Sequence, residues 1–255
     1  MTVSVQPGGR PGGPEGLSPL IAALDTPDLD EARRLAGAVS GQVDIVKVGL
    51  ELFSSAGPEA LRALRKDGFE VFLDLKMNDI PNTVVSACIA LCALEPLMLT
   101  VHTMGGQEMM RAAAAAVRDH CWAVALPKPL LVGVTVLTSL DLLALKKIGV
   151  KGSVEEQVMR LAVLASESGM DGVVSSPLET LAVRRKVGDE MRLITPGVRL
   201  KGASADDQKR IATPGDAVRA GADFVVAGRQ LSGAADPASV AKEILEDIRG
   251  RSPAE

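Results

Sequence analysis

Eight short apolar runs alternate with helical patterns along most of this 255-residue chain. The runs are nearly continuous, which is typical of parallel strands covered on both faces. Several helical stretches end in glycine just before the next run, where a helix usually stops. The runs are PLIAALD, VDIVKVG, EVFLDLK, PLMLTVH, LLVGVTV, DGVVSS, RLITPG and DFVVAG, and the stretches between them include LDEARRLAGAV, PEALRALRKDG and VEEQVMRLAVLASESG.

This alternation predicts an α/β fold, a single-domain (β/α)8 TIM barrel over residues 18–250. Such a barrel typically takes ~250 residues. The alternative, an open doubly wound sheet, usually carries GxGxxG after its first strand, and here that turn reads LDTPDLD. Residues 1–17 are rich in Gly and Pro and have no apolar signal-peptide core. They are therefore expected to form a flexible tail before the barrel.

Composition and charge restrict the functional classes. Apolar residues make up 47% of the chain, and the net charge is −4, which argues against broad nucleic-acid binding because that needs a basic surface. No apolar run approaches the ~18 residues of a membrane-spanning helix. Cys88, Cys92 and Cys121 match no zinc spacing, so they are predicted to be small core residues in a reducing compartment. We expect a cytoplasmic protein without nucleic-acid or membrane partners.

Charged residues occur at the ends of the first three predicted strands. Asp25 ends the first, Lys47 lies in the second, and Asp74 and Lys76 end the third. Residues two apart share one face of a strand, so Asp74 and Lys76 both point into the barrel, whose active site forms at the carboxyl ends of its strands. The alternative is that these four charges form salt bridges that hold the mouth of the barrel together. Four desolvated charges favour a function, because each costs several kcal/mol unless it is paired.

Other polar residues leave two interpretations open. Pro81 suits the first turn of a helix, so one interpretation is that Asn78 or Asp79 caps that helix. The other is that Asp79 belongs to the active site. His102 ends the fourth strand, and His120 is placed in a helix-to-strand loop. Neither histidine has a partner at metal-ligand spacing, so structural roles are predicted for both.

The last two strands are followed by motifs suited to an anion. TPGVR follows the seventh and AGRQ the eighth, where barrels often bind phosphate. Gly197 and Gly228 allow backbone N–H groups to approach an anion closely, and Arg199 and Arg229 offer forked donors for its oxygens. For either arginine taken by itself, the alternative to phosphate binding is a surface salt bridge. The long connection over residues 196–221 predicts a lid or an extra helix.

Taken together, the motifs ALD, VKVG, DLKxxDIPNT, VTVLTS, TPGVR and the closing GR resemble the orotidine 5′-phosphate decarboxylase family. The resemblance runs from about Pro19 to the final helix, and DLKxxDIPNT is its most specific part. It implies cofactor-independent and metal-independent decarboxylation of orotidine 5′-monophosphate to UMP and CO2, the last step of UMP biosynthesis. It also implies a homodimer.

The resemblance assigns roles to individual positions. Lys76 matches the proton donor and Asp74 the carboxylate that faces the scissile group, while Asp25 and Lys47 match residues that hold the ribose hydroxyls and anchor the charge network. Asp79 matches a catalytic-site residue that reaches the neighbouring subunit's substrate. The other substrate-binding positions are Ile80, Thr83 (also reaching the neighbouring site), Thr138, Pro196, Arg199, Gln208, Gly228 and Arg229.

The chain departs from the family at one visible place. Met77 and Asn78 stand where the family often has Phe-His, which concerns local packing only.

Two other functions are alternatives to this decarboxylation. A magnesium-dependent sugar-phosphate lyase of the same superfamily shares the Asp-x-Lys-x-x-Asp core. A non-catalytic phosphosugar-binding barrel is the second alternative.

Overall fold

Eight parallel strands close into a barrel in chain order. The structure, a computed structural model, describes residues 16–200 and 212–250. Each strand pairs with the next, and the eighth pairs with the first, so the predicted (β/α)8 barrel is confirmed and the open sheet is wrong. The strands are β1 (Leu20–Ala23), β2 (Ile45–Gly49), β3 (Glu70–Met77), β4 (Met98–His102), β5 (Leu130–Val134), β6 (Gly172–Val174), β7 (Arg192–Pro196) and β8 (Phe224–Ala227).

Helices surround the barrel, and several begin at side chains that accept a hydrogen bond from the first turn. Ser153 and Glu156 form a reciprocal capping box at the start of one helix, while Asp28 and Asp141 cap two others. The helices are α1 (Leu29–Ala38), α2 (Leu50–Ala56), α3 (Pro58–Lys66), α4 (Pro81–Cys92), a 3-10 turn (Thr103–Gly105), α5 (Gly106–Val124), α6 (Leu142–Lys147), α7 (Val154–Glu167), α8 (Thr180–Val187), α9 (Pro214–Arg219), α10 (Arg229–Ser232) and α11 (Pro237–Ile248).

The core has two layers, one inside the barrel and one between the barrel and the helices. On β3, Phe72 belongs to the inner layer and its neighbour Leu73 to the outer one, as the period-two alternation of a strand requires. Each fully buried side chain of this size contributes about 1.5–3 kcal/mol. The inner layer fills the barrel below its carboxyl end with Ile21, Ala23, Ile45, Phe72, Met98, Val132, Ile194, Phe224 and Val226. A site at the carboxyl end therefore lies on an apolar floor.

The three cysteines lie in the outer layer, which confirms their prediction as core residues. Cys88 and Cys92 on α4 and Cys121 on α5 are buried and form no disulfide. Burial raises the pKa of the Cys88 thiol to about 12, so this thiol stays protonated at neutral pH. His120 lies within α5 rather than in a loop, because that helix continues to Val124 and ends only at the left-handed Ala125.

Parts of two predictions fall outside the described residues. These are most of the tail over 1–17 and residues 201–211 of the long connection, which include Gln208. The described ends of that connection are joined by a bridge between Val198 and Ala212. None of the helices in residues 16–200 and 212–250 combines the length and apolar character needed to cross a membrane.

Candidate active site

The carboxyl ends of β1, β2 and β3 bring four charged side chains into one alternating chain, here called the charge chain: Asp25, Lys47, Asp74 and Lys76. Lys47 Nζ lies 3.1 Å from Asp25 Oδ1 and 3.8 Å from Asp74 Oδ2. Lys76 Nζ lies 2.7 Å from the same Asp74 oxygen. The Asp74 and Lys47 side chains are only 10% and 13% exposed, and each is next to opposite charge, which offsets their loss of hydration. The sequence-predicted quartet is thus assembled.

Lys76 is held in an unusual backbone conformation. Its φ is +50°, in the left-handed region that residues other than glycine rarely adopt. The pairing of β3 with β4 shifts register between Leu73 and Met77, so Lys76 lies in the irregular part of the strand. Such conformations cost of order 1–3 kcal/mol and persist where the surroundings enforce them, commonly at functional sites.

Thr100 on β4 connects the two charged residues of β3, and the sequence reasoning missed it. Its hydroxyl accepts a hydrogen bond from the Lys76 backbone N–H at 2.8 Å and donates one to Asp74 Oδ1 at 3.1 Å. The residue is fully buried. The available signal was a single hydroxyl in the otherwise aliphatic centre of β4, Leu99–Thr100–Val101.

Two glycines allow the backbone to pass close to the charge chain. A Cβ at Gly49 would lie 3.2 Å from Lys47 Nζ, and a Cβ at Gly228 would lie 3.1 Å from Asp25 Oδ2. A side chain at either position would press on a charged atom. Gly228, predicted to bind phosphate, is therefore also next to the start of the charge chain.

A cavity of about 230 Å³ opens beside the charge chain. Lys47, Asp74 and Lys76 line it, together with Thr138 and Pro196 from the predicted binding set. The remaining lining residues, mostly apolar, are Phe72, Val134, Val136, Leu137, Val174, Ser175, Ser176, Ile194 and Val226. The arrangement gives a largely apolar chamber with charges concentrated on one wall.

Two serines after β6 contribute to this cavity without having been predicted. Ser175 is 2% exposed, and its hydroxyl oxygen has no hydrogen-bond partner in the described part of the chain. The Ser176 hydroxyl donates to the carboxylate of Glu179, which is itself buried. Consecutive hydroxyls at a strand's carboxyl end were the signal that would have found them, because barrel sites are built there.

Asp79, Ile80 and Thr83 lie on the exposed surface beside the mouth of the barrel. Helix α4 begins at Pro81 with Ile80 as its N-cap residue, and no side chain caps it. The prediction that Asn78 or Asp79 caps this helix is therefore wrong. Asp79 Oδ1 accepts instead from the adjacent Ile80 N–H at 2.7 Å, and within the described residues it makes no ion pair with the charge chain.

The predicted phosphate-binding arginines differ in exposure. Arg229 opens α10 directly after Gly228 and is exposed, whereas Arg199 is 8% exposed. The Arg199 guanidinium donates to the Val198 carbonyl at 3.4 Å. The backbone N–H of Arg199 donates to the Ala212 carbonyl at 3.1 Å, which fixes the β7 side of the long connection.

His102 lies near Lys76 and has a structural contact. Its Nδ1 accepts from the Met104 backbone N–H at 3.3 Å, at the start of the 3-10 turn. Burial, and then the Lys76 ammonium, hold the pKa of this imidazole below its usual value of 6.5, so it is neutral at pH 7. This contact agrees with the predicted structural role. Among residues 16–200 and 212–250, no three His, Cys, Asp or Glu side chains cluster as metal ligands.

The fold and the site together define a (β/α)8 barrel enzyme whose chemistry lies at the carboxyl ends of its strands. The sequence profile described as "Orotidine 5'-phosphate decarboxylase / HUMPS family" matches residues 18–244, and the chain belongs to this family. An orotidine 5′-phosphate decarboxylase of Moorella thermoacetica is 48% identical over 90% of this chain and 91% of its own length. The enzyme of that name from Syntrophotalea carbinolica is 46% identical over 92% and 96%.

A solved structure gives the same result in three dimensions. The crystal structure of orotidine 5′-phosphate decarboxylase from Lactobacillus acidophilus superimposes with a TM-score of 0.79 at 34% identity. The match covers 91% of this chain and 99% of that one. The family resemblance drawn from the motifs is thereby confirmed over nearly the whole barrel.

Proposed function

We propose that this chain decarboxylates orotidine 5′-monophosphate to UMP and CO2 without a metal or cofactor, as the last step of UMP biosynthesis. The observation that carries the proposal is the charge chain, in which the Lys76 ammonium stands 2.7 Å from Asp74 at the wall of the cavity. Membership of the family supports the substrate. Names of relatives 44–48% identical to this chain support the reaction.

The reaction needs a fixed cation at one carbon atom. The bond between C6 of the pyrimidine and its carboxylate breaks, CO2 leaves, and the electron pair remains on C6, where no carbonyl is placed to delocalise it. A preorganised positive charge next to C6 stabilises this developing carbanion. The Lys76 ammonium meets that need and then transfers one proton to C6, which completes UMP.

Asp74 and Lys47 tune this step. The Asp74 carboxylate holds Lys76 in position, and it lies where the substrate carboxylate must enter. Repulsion between the two carboxylates disfavours the ground state and disappears as CO2 departs, so it lowers the barrier. Lys47 bridges Asp74 and Asp25, and the outer pair, Asp25 and Lys47, is suited to bind ribose hydroxyls.

The rest of the substrate fits the remaining features. The apolar cavity wall with Thr138 and Pro196 is suited to the flat pyrimidine ring. Gly228 and Arg229, with Arg199 and Gln208, are assigned to the phosphate. This group is remote from C6, so its binding energy can be used to position the reacting carbon against Lys76.

We propose further that the active unit is a homodimer in the cytoplasm. Asp79 and Thr83 are exposed beside the barrel mouth, as residues that reach a neighbouring subunit's site must be in a single chain. Ile80, which follows Asp79 directly in the chain, is 67% exposed, and this apolar side chain next to Asp79 supports the proposal of a surface that a partner covers. Buried reduced cysteines suit a reducing compartment.

The magnesium-dependent alternative is less compatible with the state of Asp74. Its Oδ2 accepts from Lys76 at 2.7 Å and its Oδ1 from the Thr100 hydroxyl at 3.1 Å. Each oxygen therefore already accepts one hydrogen bond, and a cation would have to share the carboxylate with the Lys76 ammonium, which repels it. The donor set therefore favours proton chemistry at Lys76 over a metal-centred reaction.

The test is a turnover assay with purified protein and orotidine 5′-monophosphate, followed by ultraviolet absorbance with EDTA present. The expected result is complete conversion to UMP at a rate that EDTA does not change. Turnover that requires added magnesium would support the lyase alternative. Substrate binding with no turnover would support the non-catalytic barrel.

A further inference from the structure

We propose that Thr100 is a positioning residue for the Asp74–Lys76 pair, holding both the carboxylate and the lysine backbone through one hydroxyl. The inference rests on the proposed function, because it concerns how that reaction's proton donor is aligned. Thr100 is fully buried on β4 and is not among the residues that line the cavity. It therefore acts on the reaction through its two neighbours and not by touching substrate.

The direction of both hydrogen bonds follows from the chemistry of the partners. The Lys76 backbone N–H can only donate, and an ionised Asp74 carboxylate can only accept. The Thr100 oxygen at 2.8 Å from the Lys76 nitrogen is therefore the acceptor of that bond. Its single proton goes to Asp74 Oδ1, 3.1 Å away. Valine at this position would preserve the shape and remove both bonds.

The irregular segment of β3 explains why a hydroxyl is needed there. Regular pairing with β4 is interrupted between Leu73 and Met77, so Lys76 lies where the strand ladder is broken. The Thr100 side chain supplies the acceptor for its N–H at this point. The same contact supports the left-handed φ of +50° at Lys76, which has an intrinsic conformational cost.

The hydrogen bond from the Thr100 hydroxyl to Asp74 Oδ1 also fixes the direction of the other carboxylate oxygen, Oδ2. With Oδ1 bound by Thr100, Oδ2 points to the Lys76 ammonium at 2.7 Å and toward Lys47 Nζ at 3.8 Å. Without the hydroxyl, the carboxylate can rotate and the Lys76 backbone can relax. A misplacement of ~1 Å at a reacting group costs about 100-fold in rate.

The experiment compares wild type with Thr100→Val and Thr100→Ser in steady-state decarboxylation. For Thr100→Val we expect kcat to fall by about 10- to 100-fold while KM stays within about threefold, since only the alignment of the reacting groups is lost. Thr100→Ser keeps the hydroxyl and is expected to restore most of kcat. Calorimetry with UMP is expected to give similar affinities for all three proteins.

Thr103→Val is the matched control. Thr103 is also fully buried, just after β4, but its hydroxyl donates to the Val134 carbonyl at 2.7 Å and contacts neither Asp74 nor Lys76. This variant should lose stability and keep kcat, which separates a lost buried hydrogen bond from a lost alignment.

Three results would overturn the proposal: wild-type kcat in Thr100→Val, a Thr100→Ser enzyme as slow as Thr100→Val, or an equal loss of kcat in Thr103→Val. If Thr100→Val does not fold, Thr100→Ala is judged by the same criteria. Failure of the proposed function is distinguishable, because wild type itself would then not decarboxylate the substrate.

Discussion

Replacing Arg184 by methionine should destabilise the barrel strongly without changing its chemistry. Arg184 is on α8, is buried, and reaches the segments that lead into β7 and β8, at the end of the barrel opposite the site. Its guanidinium donates to the carbonyls of Gly188, Met191 and Gly221 at 2.6–3.1 Å. It also donates to Asp223 Oδ2 at 2.6 Å.

The magnitude follows from what the substitution leaves behind. The Asp223 side chain is 6% exposed. Among the described residues it would keep the Leu193 N–H at 2.7 Å and the longer contact with Arg192 at 3.4 Å. Breaking one side of a buried ion pair costs about 3–5 kcal/mol, because the remaining charge stays buried. At about 2–4 °C per kcal/mol for a domain of this size, Tm should fall by about 6–20 °C.

Urea and thermal unfolding, each followed by circular dichroism, measure this effect. Arg185→Met is the control, because Arg185 is the exposed neighbour on the same helix and its loss should change the unfolding free energy by about 0.5 kcal/mol or less. Turnover of Arg184→Met at a temperature where it is folded should equal that of wild type. A Tm of Arg184→Met within about 2 °C of that of Arg185→Met would refute the reasoning, because it corresponds to a loss of only about 1 kcal/mol or less.

Three further predictions concern the site. Arg229→Ala should weaken binding of the phosphorylated substrate by about 1.5–3 kcal/mol, the range for a hydrogen bond to a charged group, and should hardly affect the phosphate-free nucleoside. An equal rise in KM for both substrates would contradict this. Co-refolding equal amounts of the Lys76→Ala and Asp79→Ala chains should restore about a quarter of wild-type activity, because about half of the dimers are mixed and each mixed dimer holds one intact site of two. Native mass spectrometry verifies that mixed dimers form. If they form without activity, Asp79 serves its own chain's site or lies outside the chemistry. The pKa of His102 lies below 6.5 in the folded chain, so the unfolded chain takes up this proton first and the free energy of unfolding should decrease as pH falls through 6.5. Urea unfolding measured at several pH values should show a weaker pH dependence of this free energy for His102→Gln than for wild type. An unchanged pH dependence would refute the assignment.

The barrel was predictable because its determinants are local. Eight continuous apolar runs separated by helical stretches admit few arrangements, and all eight became strands close to their predicted positions. The inward direction of Asp74 and Lys76 followed from their spacing of two, and their ion pair confirms that they meet. Buried free cysteines followed from their apolar surroundings.

The features that were missed depend on contacts between strands. Nothing in the sequence marks the register shift of β3 or the left-handed Lys76, so the single hydroxyl of Thr100 on the next strand could not be linked to Asp74 and Lys76. A capping role for Asn78 or Asp79 was one of two open interpretations because Pro81 follows closely, but no side chain caps α4. Ser175 and Ser176 line the cavity through their place after β6, where two consecutive hydroxyls were a signal that the sequence reasoning did not use.

The central claim is that Lys76 donates the proton to the carbon that loses CO2. The direct measurement is single-turnover decarboxylation of orotidine 5′-monophosphate by Lys76→Ala, with UMP affinity determined by calorimetry on the same preparation. We predict that turnover is abolished while UMP still binds with affinity close to that of wild type, because the phosphate, ribose and base contacts lie elsewhere. Near-normal turnover in that variant would contradict the mechanism.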